Sequence, residues 1–188
     1  MTIDTPTDRD RWNAKFLRGE AQSLDPDPLL IEACSTLPPK RALDLAGGAG
    51  RHALWLAERR WNVTLADVSD EGLAIAAHRA TNAGVTLDLR RESAAQTLAW
   101  ARSQPLDLIV VVWCLLRDQF PTLPLALAPG GLLIYKTYTA AHVRYTEGHS
   151  LATALDPGEL AAAFPALTIL LSRESHGIAE LVARCNQH

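Results

Sequence analysis

Residues 41–53 constrain the fold more than any other segment of this 188-residue chain. A short apolar run is followed by a glycine-rich turn and then by the start of a helix. Gly47, Gly48 and Gly50 leave the backbone bare, so a ligand can approach the main chain closely. The helix that begins near Arg51 points its unpaired N–H groups toward the same place. The segment therefore predicts a binding site at the carboxyl edge of a parallel sheet.

Two acids narrow the choice of ligand. Asp67 stands seventeen residues after Gly50, at the end of a second strand-like run. An acid about 20 residues beyond such glycines can bind a ribose diol. Asp44 lies at the carboxyl end of the first strand, just before the turn, where a carboxylate would repel a pyrophosphate but suits a cofactor with a cationic amino-acid end. Residues 48–53 also fit the dinucleotide fingerprint, so a nicotinamide or flavin nucleotide is an alternative, as is a fold that has lost its ligand.

At these residues the chain resembles the class I S-adenosylmethionine-dependent methyltransferases, whose first motif is an acid followed by spaced glycines. Asp44, Ala46, Gly48 and Gly50 stand at the motif positions, and Ala46 replaces the first glycine. The resemblance covers residues 41–184 and implies S-adenosylmethionine as the cofactor. It also implies an α/β, Rossmann-like fold: one doubly wound sheet of seven strands, mostly parallel, with helices on both faces and a C-terminal antiparallel hairpin.

Apolar periodicity and turn residues predict elements that agree with this fold. Strands are predicted at residues 41–46, 63–66, 86–90, 106–112, 132–138, 167–172 and 178–184. Helices are predicted at residues 11–20, 29–37, 51–60, 70–83, 94–103, 120–127 and 156–164. We expect residues 1–40 to form an N-terminal arm with helices, and residues 41–188 to form the methyltransferase domain.

A finer resemblance lies in residues 11–16, 138–145 and 156–160, which are similar to small bacterial methyltransferases of the tellurite-resistance and thiopurine types. It implies that the N-terminal aromatic segment is a lid over the cofactor and that the loop after the fifth strand borders the substrate. Lys136 stands where many relatives have an acid, so the resemblance does not carry over a shared substrate.

The resemblance also assigns residues around the cofactor. Asp67 is expected to hold the ribose hydroxyls, and Val68 to pack on the adenine ring. Glu92 and Ser93 follow the third strand, where the family places groups for the adenine edge. Trp113 is expected to pack at the rim of the crevice. The full predicted cofactor set is Trp12, Asp44, Ala46, Gly47, Gly48, Gly50, Arg51, Asp67, Val68, Glu92, Ser93 and Trp113.

Tyr138, His142 and Arg144 are the predicted catalytic, acceptor-side residues. A thiolate or a reduced chalcogen anion needs no strong base, whereas a hydroxyl or an amine needs a proton acceptor, for which His142 is the nearest candidate. Arg144, together with Arg117 and Lys136, is a candidate for holding an anionic acceptor. A solvated loop side chain is the alternative interpretation for each. Within the resemblance, the absence of an Asn/Asp-Pro-Pro-aromatic motif argues against methylation of adenine, cytosine or glutamine amide nitrogens.

Composition limits which partners, cellular compartment and metal the sequence can be expected to have. A net charge of −3 and a pI near 6.0 give no nucleic-acid footprint, and the longest apolar run, residues 108–116, is too short to cross a bilayer. Three widely spaced cysteines without a C-x-x-C pair are typical of a reducing cytosol. No metal-ligand spacing is found, and His52 is expected to support its neighbours rather than act as a base.

We therefore expect a cytoplasmic methyltransferase with a small-molecule acceptor and no metal, membrane or nucleic-acid partner, whose oligomeric state the sequence does not specify. A nicotinamide oxidoreductase is the first alternative, disfavoured by Asp44 and by the lack of room for a second domain. A non-catalytic binding module with the same fold is the second alternative.

Overall fold

A computed structural model, which describes residues 7–143 and 151–186, has the α/β architecture that the sequence predicts. Seven strands form one sheet in the order β3-β2-β1-β4-β5-β7-β6. The strands are β1 (Arg41–Leu45), β2 (Asn62–Asp67), β3 (Asp88–Arg91), β4 (Leu106–Val112), β5 (Leu127–Tyr138), β6 (Leu167–Ser175) and β7 (Ile178–Cys185).

The direction of the strands creates the crevice in which a ligand would bind. Strands β1 to β5 are parallel, whereas β7 pairs antiparallel with both β5 and β6. The chain reverses its winding direction between β1 and β4, and ligands of open α/β sheets bind at such a switch point. Asp44 is in register with Leu65 of β2 and Val110 of β4. The carboxyl ends of the three strands therefore lie side by side.

The central strands are apolar because helices cover both faces of the sheet. In β4, the side chains of Leu108, Ile109 and Val110 are fully buried. One face of the sheet packs on a cluster that includes Tyr135 and Phe164, and the other packs on residues of the helices Pro28–Cys34 and Arg51–Glu58. The continuous apolar run that predicted β4 therefore reflects burial on two sides.

Seven α-helices flank the strands in the part of the chain that the structure describes. They are α1 (Asp8–Leu17), α2 (Pro28–Cys34), α3 (Arg51–Glu58), α4 (Asp70–Ala83), α5 (Ala94–Ala101), α6 (Ala140–Val143) and α7 (Glu159–Ala162). No helix among residues 7–143 and 151–186 is long and apolar enough to cross a bilayer.

The predicted helix at residues 120–127 is wrong. Two short 3-10 segments, Arg117–Gln119 and Leu123–Ala126, occupy this region, and β5 begins at once with Leu127. Pro121 and Pro124 explain the difference, because proline cannot donate the backbone hydrogen bond that a continuing α-helix requires.

A buried ion-pair cluster joins the N-terminal region to the sheet. Lys136 Nζ lies 3.0 Å from Asp27 Oδ1 and 2.8 Å from Glu180 Oε1. Burial lowers the pKa of Lys136, but hydrogen bonds to Glu180 and Asp27 outweigh this and raise it above its usual value. Asp27 also caps α2 by accepting a hydrogen bond from the Leu29 N–H. One carboxylate thus fixes both a helix end and a strand.

We expect Asp27→Ala to lower the free energy of unfolding by about 2–4 kcal/mol, because a helix cap and one partner of a buried ion pair are lost together. Glu32→Ala is the matched control, since Glu32 pairs with Arg173 at the exposed surface and should cost less than about 1 kcal/mol. Urea denaturation of both variants measures the difference. Equal losses in the two variants would contradict a structural role for the buried cluster.

Candidate functional site

The turn between β1 and α3 runs through left-handed backbone conformations. Ala46, Gly48 and Gly50 have φ values of 57°, 54° and 77°. A left-handed conformation costs a residue with a Cβ atom roughly 1–2 kcal/mol, which explains why the family motif has glycine where this chain has Ala46. The turn is nevertheless kept, and strain of this kind is typical of functional sites.

Gly47 is required for a different reason, namely the close approach of Asp44 from below. A Cβ atom at Gly47 would lie 2.5 Å from the Asp44 carboxyl carbon. The Asp44 side chain is 1% exposed, and its Oδ2 accepts a hydrogen bond of 3.1 Å from the Ala53 N–H. Asp44 therefore lies beneath the glycine loop and caps the first turn of α3.

His52 accompanies Asp44 under the loop. Its Nδ1 lies 3.6 Å from Asp44 Oδ1, and the side chains are 4% and 1% exposed. Among the described residues, neither Asp44 Oδ1 nor His52 Nε2 has a hydrogen-bond partner. Buried polar atoms are almost always paired, so these two unpartnered atoms are a feature that calls for an explanation.

Asp67 connects the glycine loop to the next helix. Its Oδ2 accepts a hydrogen bond of 2.8 Å from the Gly48 N–H, and its Oδ1 accepts one of 2.8 Å from the Ser69 N–H. Burial raises the pKa of Asp67, and these backbone hydrogen bonds counteract part of that rise. The carboxylate is held at the end of β2 facing the cavity, where a ribose diol would meet it.

Helix α1 closes one side of the site through both apolar and polar contacts. The Phe16 ring lies so close to the loop that a Cβ atom at Gly48 or at Gly72 would be 2.8 Å from it. Asn13 Oδ1 accepts a hydrogen bond of 2.6 Å from the Ser69 hydroxyl. Arg9 pairs with Asp70 at the start of α4. The N-terminal aromatic segment is therefore docked on the loop and on α4.

These elements enclose a cavity of about 360 Å³ at the carboxyl ends of β1, β2 and β4. Its volume is within the range of small-molecule sites. Every predicted cofactor residue except Asp44 lines it: Trp12, Ala46, Gly47, Gly48, Gly50, Arg51, Asp67, Val68, Glu92, Ser93 and Trp113. His52 and Cys114 line it as well.

Glu92 and Ser93 line the cavity, and both also make hydrogen bonds that hold the end of β3 and the start of α5 in place. The Glu92 N–H donates to the Asp67 carbonyl over 3.2 Å, which ties the end of β3 to the end of β2. The Ser93 hydroxyl caps α5 by accepting a hydrogen bond from the Gln96 N–H. Glu92 keeps a carboxylate at the cavity, whereas the Ser93 side chain is engaged by the helix.

Trp113, which lines the cavity, begins a stack of three rings, and neither Tyr138 nor His142 is among the described residues that line the cavity. The Trp113 and Tyr138 ring centroids are 4.6 Å apart, and those of Tyr138 and His142 are 4.0 Å apart. Trp113 has a φ value of 62°, a strained conformation for a residue with a large side chain. Lys136 lies on this ring as well, 5.1 Å from its centroid. The structure thus brings Trp113, Tyr138 and His142 together, while Arg144 lies outside the described residues.

Two of the cations proposed for an anionic acceptor already have partners. Lys136 is held by Asp27 and Glu180, as described above. Arg117 donates to both carboxylate oxygens of Glu159, at 2.5 Å and 2.9 Å, and also to the Ala154 carbonyl. Neither side chain is available to a substrate without breaking these contacts.

Cys114 is not prepared to act as a nucleophile. Burial raises the pKa of its thiol to about 12, so the sulfur stays protonated near neutral pH. The backbone around it is fixed by Tyr135, whose hydroxyl donates to the Cys114 carbonyl and accepts from the Leu116 N–H. Cys114 and Leu116 are thus fixed parts of the cavity wall.

Sequence reasoning did not identify three residues that position the site. Tyr135 fixes the wall after β4, and Asn13 joins α1 to α4. Arg79 donates to the Ala49 carbonyl in the glycine loop and to the Gln22 carbonyl in the N-terminal region. Each acts through contacts between residues far apart in the chain, for which a single sequence gives no local signal.

The arrangement fits S-adenosylmethionine. Gly47 and Gly48 offer backbone without side chains, and Asp67 offers a carboxylate for ribose hydroxyls. The buried carboxyl group of Asp44 beneath the loop suits a cofactor with a cationic amino-acid end. Among the described residues, no group of three or more His, Cys, Asp or Glu side chains could hold a metal ion.

Comparison with known proteins agrees with this geometry. Residues 42–131 match a family model described as a methyltransferase domain. No curated protein matches the sequence significantly. The fold is similar to that of TehB from Haemophilus influenzae, with a TM-score of 0.75 at 15% identity, covering 92% of this chain and 66% of TehB.

Two further structures define what the likeness establishes. The N-methyltransferase NodS from Bradyrhizobium japonicum WM9, in complex with S-adenosyl-L-homocysteine, has a TM-score of 0.70 at 19% identity, covering 94% of this chain and 99% of NodS. The [4+2]-cyclase SpnF has a TM-score of 0.72 at 17% identity, and the match covers 98% of this chain and 98% of SpnF. Likeness at these identities shows the fold and leaves the reaction to be argued from the site.

We expect Asp67→Ala to weaken binding of S-adenosylhomocysteine by about 1–3 kcal/mol, because ligand hydroxyls would lose a charged acceptor. Glu58→Ala, at the exposed far end of α3, is the control and should leave the dissociation constant unchanged. Calorimetric titration measures both. Unchanged affinity in Asp67→Ala would refute the ribose role, and wild-type binding of NAD without binding of S-adenosylhomocysteine would refute the cofactor.

Proposed function

We propose that this chain, whose residues 42–131 match a methyltransferase-domain model, is an S-adenosylmethionine-dependent methyltransferase that methylates a small molecule at a thiol, a reduced chalcogen or another anionic atom. The observation that carries the proposal is the cavity, which has Asp67 and the glycine loop at one end and a wall of Trp113, Cys114 and Leu116 at the other. A cofactor and a small acceptor would meet between these two ends.

The charges that line the cavity support a cationic cofactor. Asp8, Asp67 and Glu92 contribute carboxylates, and Arg51 is the one Lys or Arg residue among the described lining residues. An excess of negative charge attracts a sulfonium and opposes a pyrophosphate. The same balance therefore argues against the nicotinamide alternative.

When bound, the cofactor would supply a methyl group attached to a positively charged sulfur. The protein's part is then to orient the acceptor and to exclude water. Trp113, Cys114 and Leu116 present mainly apolar surface, and Tyr135 keeps the backbone of the latter two fixed. A desolvated soft anion reacts in such surroundings without a strong base.

An apolar wall favours a thiol or a chalcogen over a carboxylate. Lys136 and Arg117 are occupied by carboxylates, so Arg144 is the remaining candidate of the three for holding an anion. In this proposal Tyr138 frames the acceptor and His142 accepts a proton when the acceptor arrives protonated. No nucleic-acid or membrane partner is part of the proposal, and the protein would act in the cytoplasm.

Residues 1–40 would complete the site as a lid, and residues 41–188 would form the methyltransferase domain. Trp12 lines the cavity, and Phe16 is 4% exposed against the glycine loop. A ligand that fills the cavity would therefore be covered by α1. Exchange of the cofactor would require α1 to leave its contacts with α4.

We expect binding of S-adenosylhomocysteine to slow hydrogen exchange of the α1 amides, because the ligand adds contacts that hold the lid closed. Asn13→Ala removes the hydrogen bond to the Ser69 hydroxyl and should speed ligand release. Exchange followed by mass spectrometry reports the first effect, and stopped-flow release the second. Equal protection with and without ligand would instead indicate a helix that is docked permanently.

We expect Arg144→Ala chiefly to raise the apparent KM for an anionic acceptor, because a guanidinium clamp would be lost. His142→Ala should change kcat only a few-fold for an anionic acceptor but by about 10²-fold or more for a hydroxyl or a protonated amine. The assay is methyl transfer to thiols, thiopurines, selenite, tellurite, carboxylates and phenols.

His78→Ala serves as the control in that assay, since His78 is exposed on α4. Turnover confined to protein or nucleic-acid acceptors would refute the small-molecule proposal. Full activity of both the Arg144 and the His142 variants would move the acceptor site elsewhere.

A further inference from the structure

His52 and Asp44 form a buried pair beneath the glycine loop that the proposed reaction does not use. Asp44 lies near the carboxyl end of β1 and His52 lies in the first turn of α3, so the pair joins the two elements that border the loop. Both residues are almost completely buried, at 1% and 3% exposed. His52 also lines the cavity.

Two buried polar atoms of the pair lack a hydrogen-bond partner in the part of the chain that the structure describes. Asp44 Oδ2 is used by the Ala53 N–H, but Asp44 Oδ1 and His52 Nε2 have no partner among the described residues. Leaving a buried polar atom unpaired costs about 1–3 kcal/mol. A histidine that merely filled the core would be expected to have its ring nitrogens satisfied by protein groups.

The proximity of the two side chains decides which kind of group would pair with His52. Its Nδ1 is 3.6 Å from Asp44 Oδ1, too far for a hydrogen bond in this structure but close enough for the carboxylate to favour the tautomer with its proton on Nδ1. A neutral imidazole with its proton on Nδ1 has a lone pair on Nε2 and accepts hydrogen bonds there. With a carboxylate behind the ring, a cationic N–H donor is preferred, and an anion is repelled.

We propose that His52, oriented by Asp44, is the acceptor for the α-ammonium group of the cofactor's methionine portion. The proposal rests on the methyltransferase function proposed above. In it Asp44 acts through His52 rather than by direct contact, in agreement with its position below the loop and away from the cavity lining. Because Nε2 is buried, the proposed contact requires the His52 ring to turn toward the cavity that the residue already lines.

Comparing two nucleosides distinguishes a contact between His52 and the ammonium group from a general effect of His52 on nucleoside binding. S-adenosylhomocysteine carries the amino-acid end, whereas 5′-methylthioadenosine has the same nucleoside and sulfur without it. His52→Leu should weaken binding of S-adenosylhomocysteine by about 10-fold or more, the effect of a lost hydrogen bond to a charged group, and should leave methylthioadenosine within about 2-fold.

His52→Gln supplies the conservative variant, because its amide oxygen can accept a hydrogen bond, and it should recover much of the lost affinity. His78→Leu is the matched control on the exposed surface of α4 and should behave as wild type. Thermal unfolding without ligand verifies that each variant is folded. In the wild-type protein, the His52 Nε2 nitrogen resonance should shift with S-adenosylhomocysteine and stay in place with methylthioadenosine.

The possible results separate this proposal from the cofactor assignment. If His52→Leu weakens both nucleosides equally, or neither, His52 is a structural residue and the proposal is wrong. If His52→Leu does not fold, the wild-type nitrogen resonance decides alone, and the absence of a selective shift overturns the proposal. If the wild-type protein binds neither nucleoside, the cofactor assignment is wrong and this proposal falls with it.

Discussion

The carboxylate of Asp67 is the interaction on which the cofactor end of the site depends. It accepts one hydrogen bond from the Gly48 N–H and one from the Ser69 N–H, and so holds the glycine loop against the start of α4. Ser69 in turn caps α4 through the Gly72 N–H and donates its hydroxyl proton to Asn13 of α1. Loop, helix and N-terminal segment are therefore positioned by one buried acid. A ligand hydroxyl that binds Asp67 meets a carboxylate whose position is fixed beforehand, so little ordering remains to be done on binding.

The sheet and the glycine loop could be predicted because each is associated with a pattern of neighbouring residues in the sequence. A parallel strand buried on both faces reads as a continuous apolar run, as in β4, and a turn with left-handed backbone is marked by glycine. The position of Asp67 at the end of β2 was predictable for the same reason, since its distance from Gly50 along the chain follows from one β-α-β unit; its contact with ribose hydroxyls stays a prediction. The failure at residues 120–127 has a local cause as well, because two prolines outweigh an apolar pattern.

What the sequence could not predict are the contacts between distant residues. Lys136 and Asp27 are 109 residues apart, and Ser69 and Asn13 are 56 apart. A lysine within an apolar strand, such as Lys136 in β5, resembles a free cation until the fold brings two carboxylates to it. Asp44 is a related case: its place in the motif predicted a cofactor contact, but only the three-dimensional structure reveals the His52 side chain beside it. Burial and pairing decide such roles, and both are properties of the folded chain.

The two ends of the cavity are built on different principles, and this difference explains why the cofactor is easier to infer than the acceptor. At the cofactor end, backbone N–H groups, glycines and one acid at a strand end form the site, so a short motif records it. At the end where we propose that the acceptor binds, the wall is made of side chains that interior residues hold in place. Tyr135 fixes the backbone at Cys114 and Leu116, and Lys136 lies against Trp113 while two carboxylates neutralise it. Changes to such side chains would alter which acceptor fits without disturbing the glycine loop. One fold can therefore serve many substrates, and the acceptor has to be inferred from the side chains that line its part of the cavity.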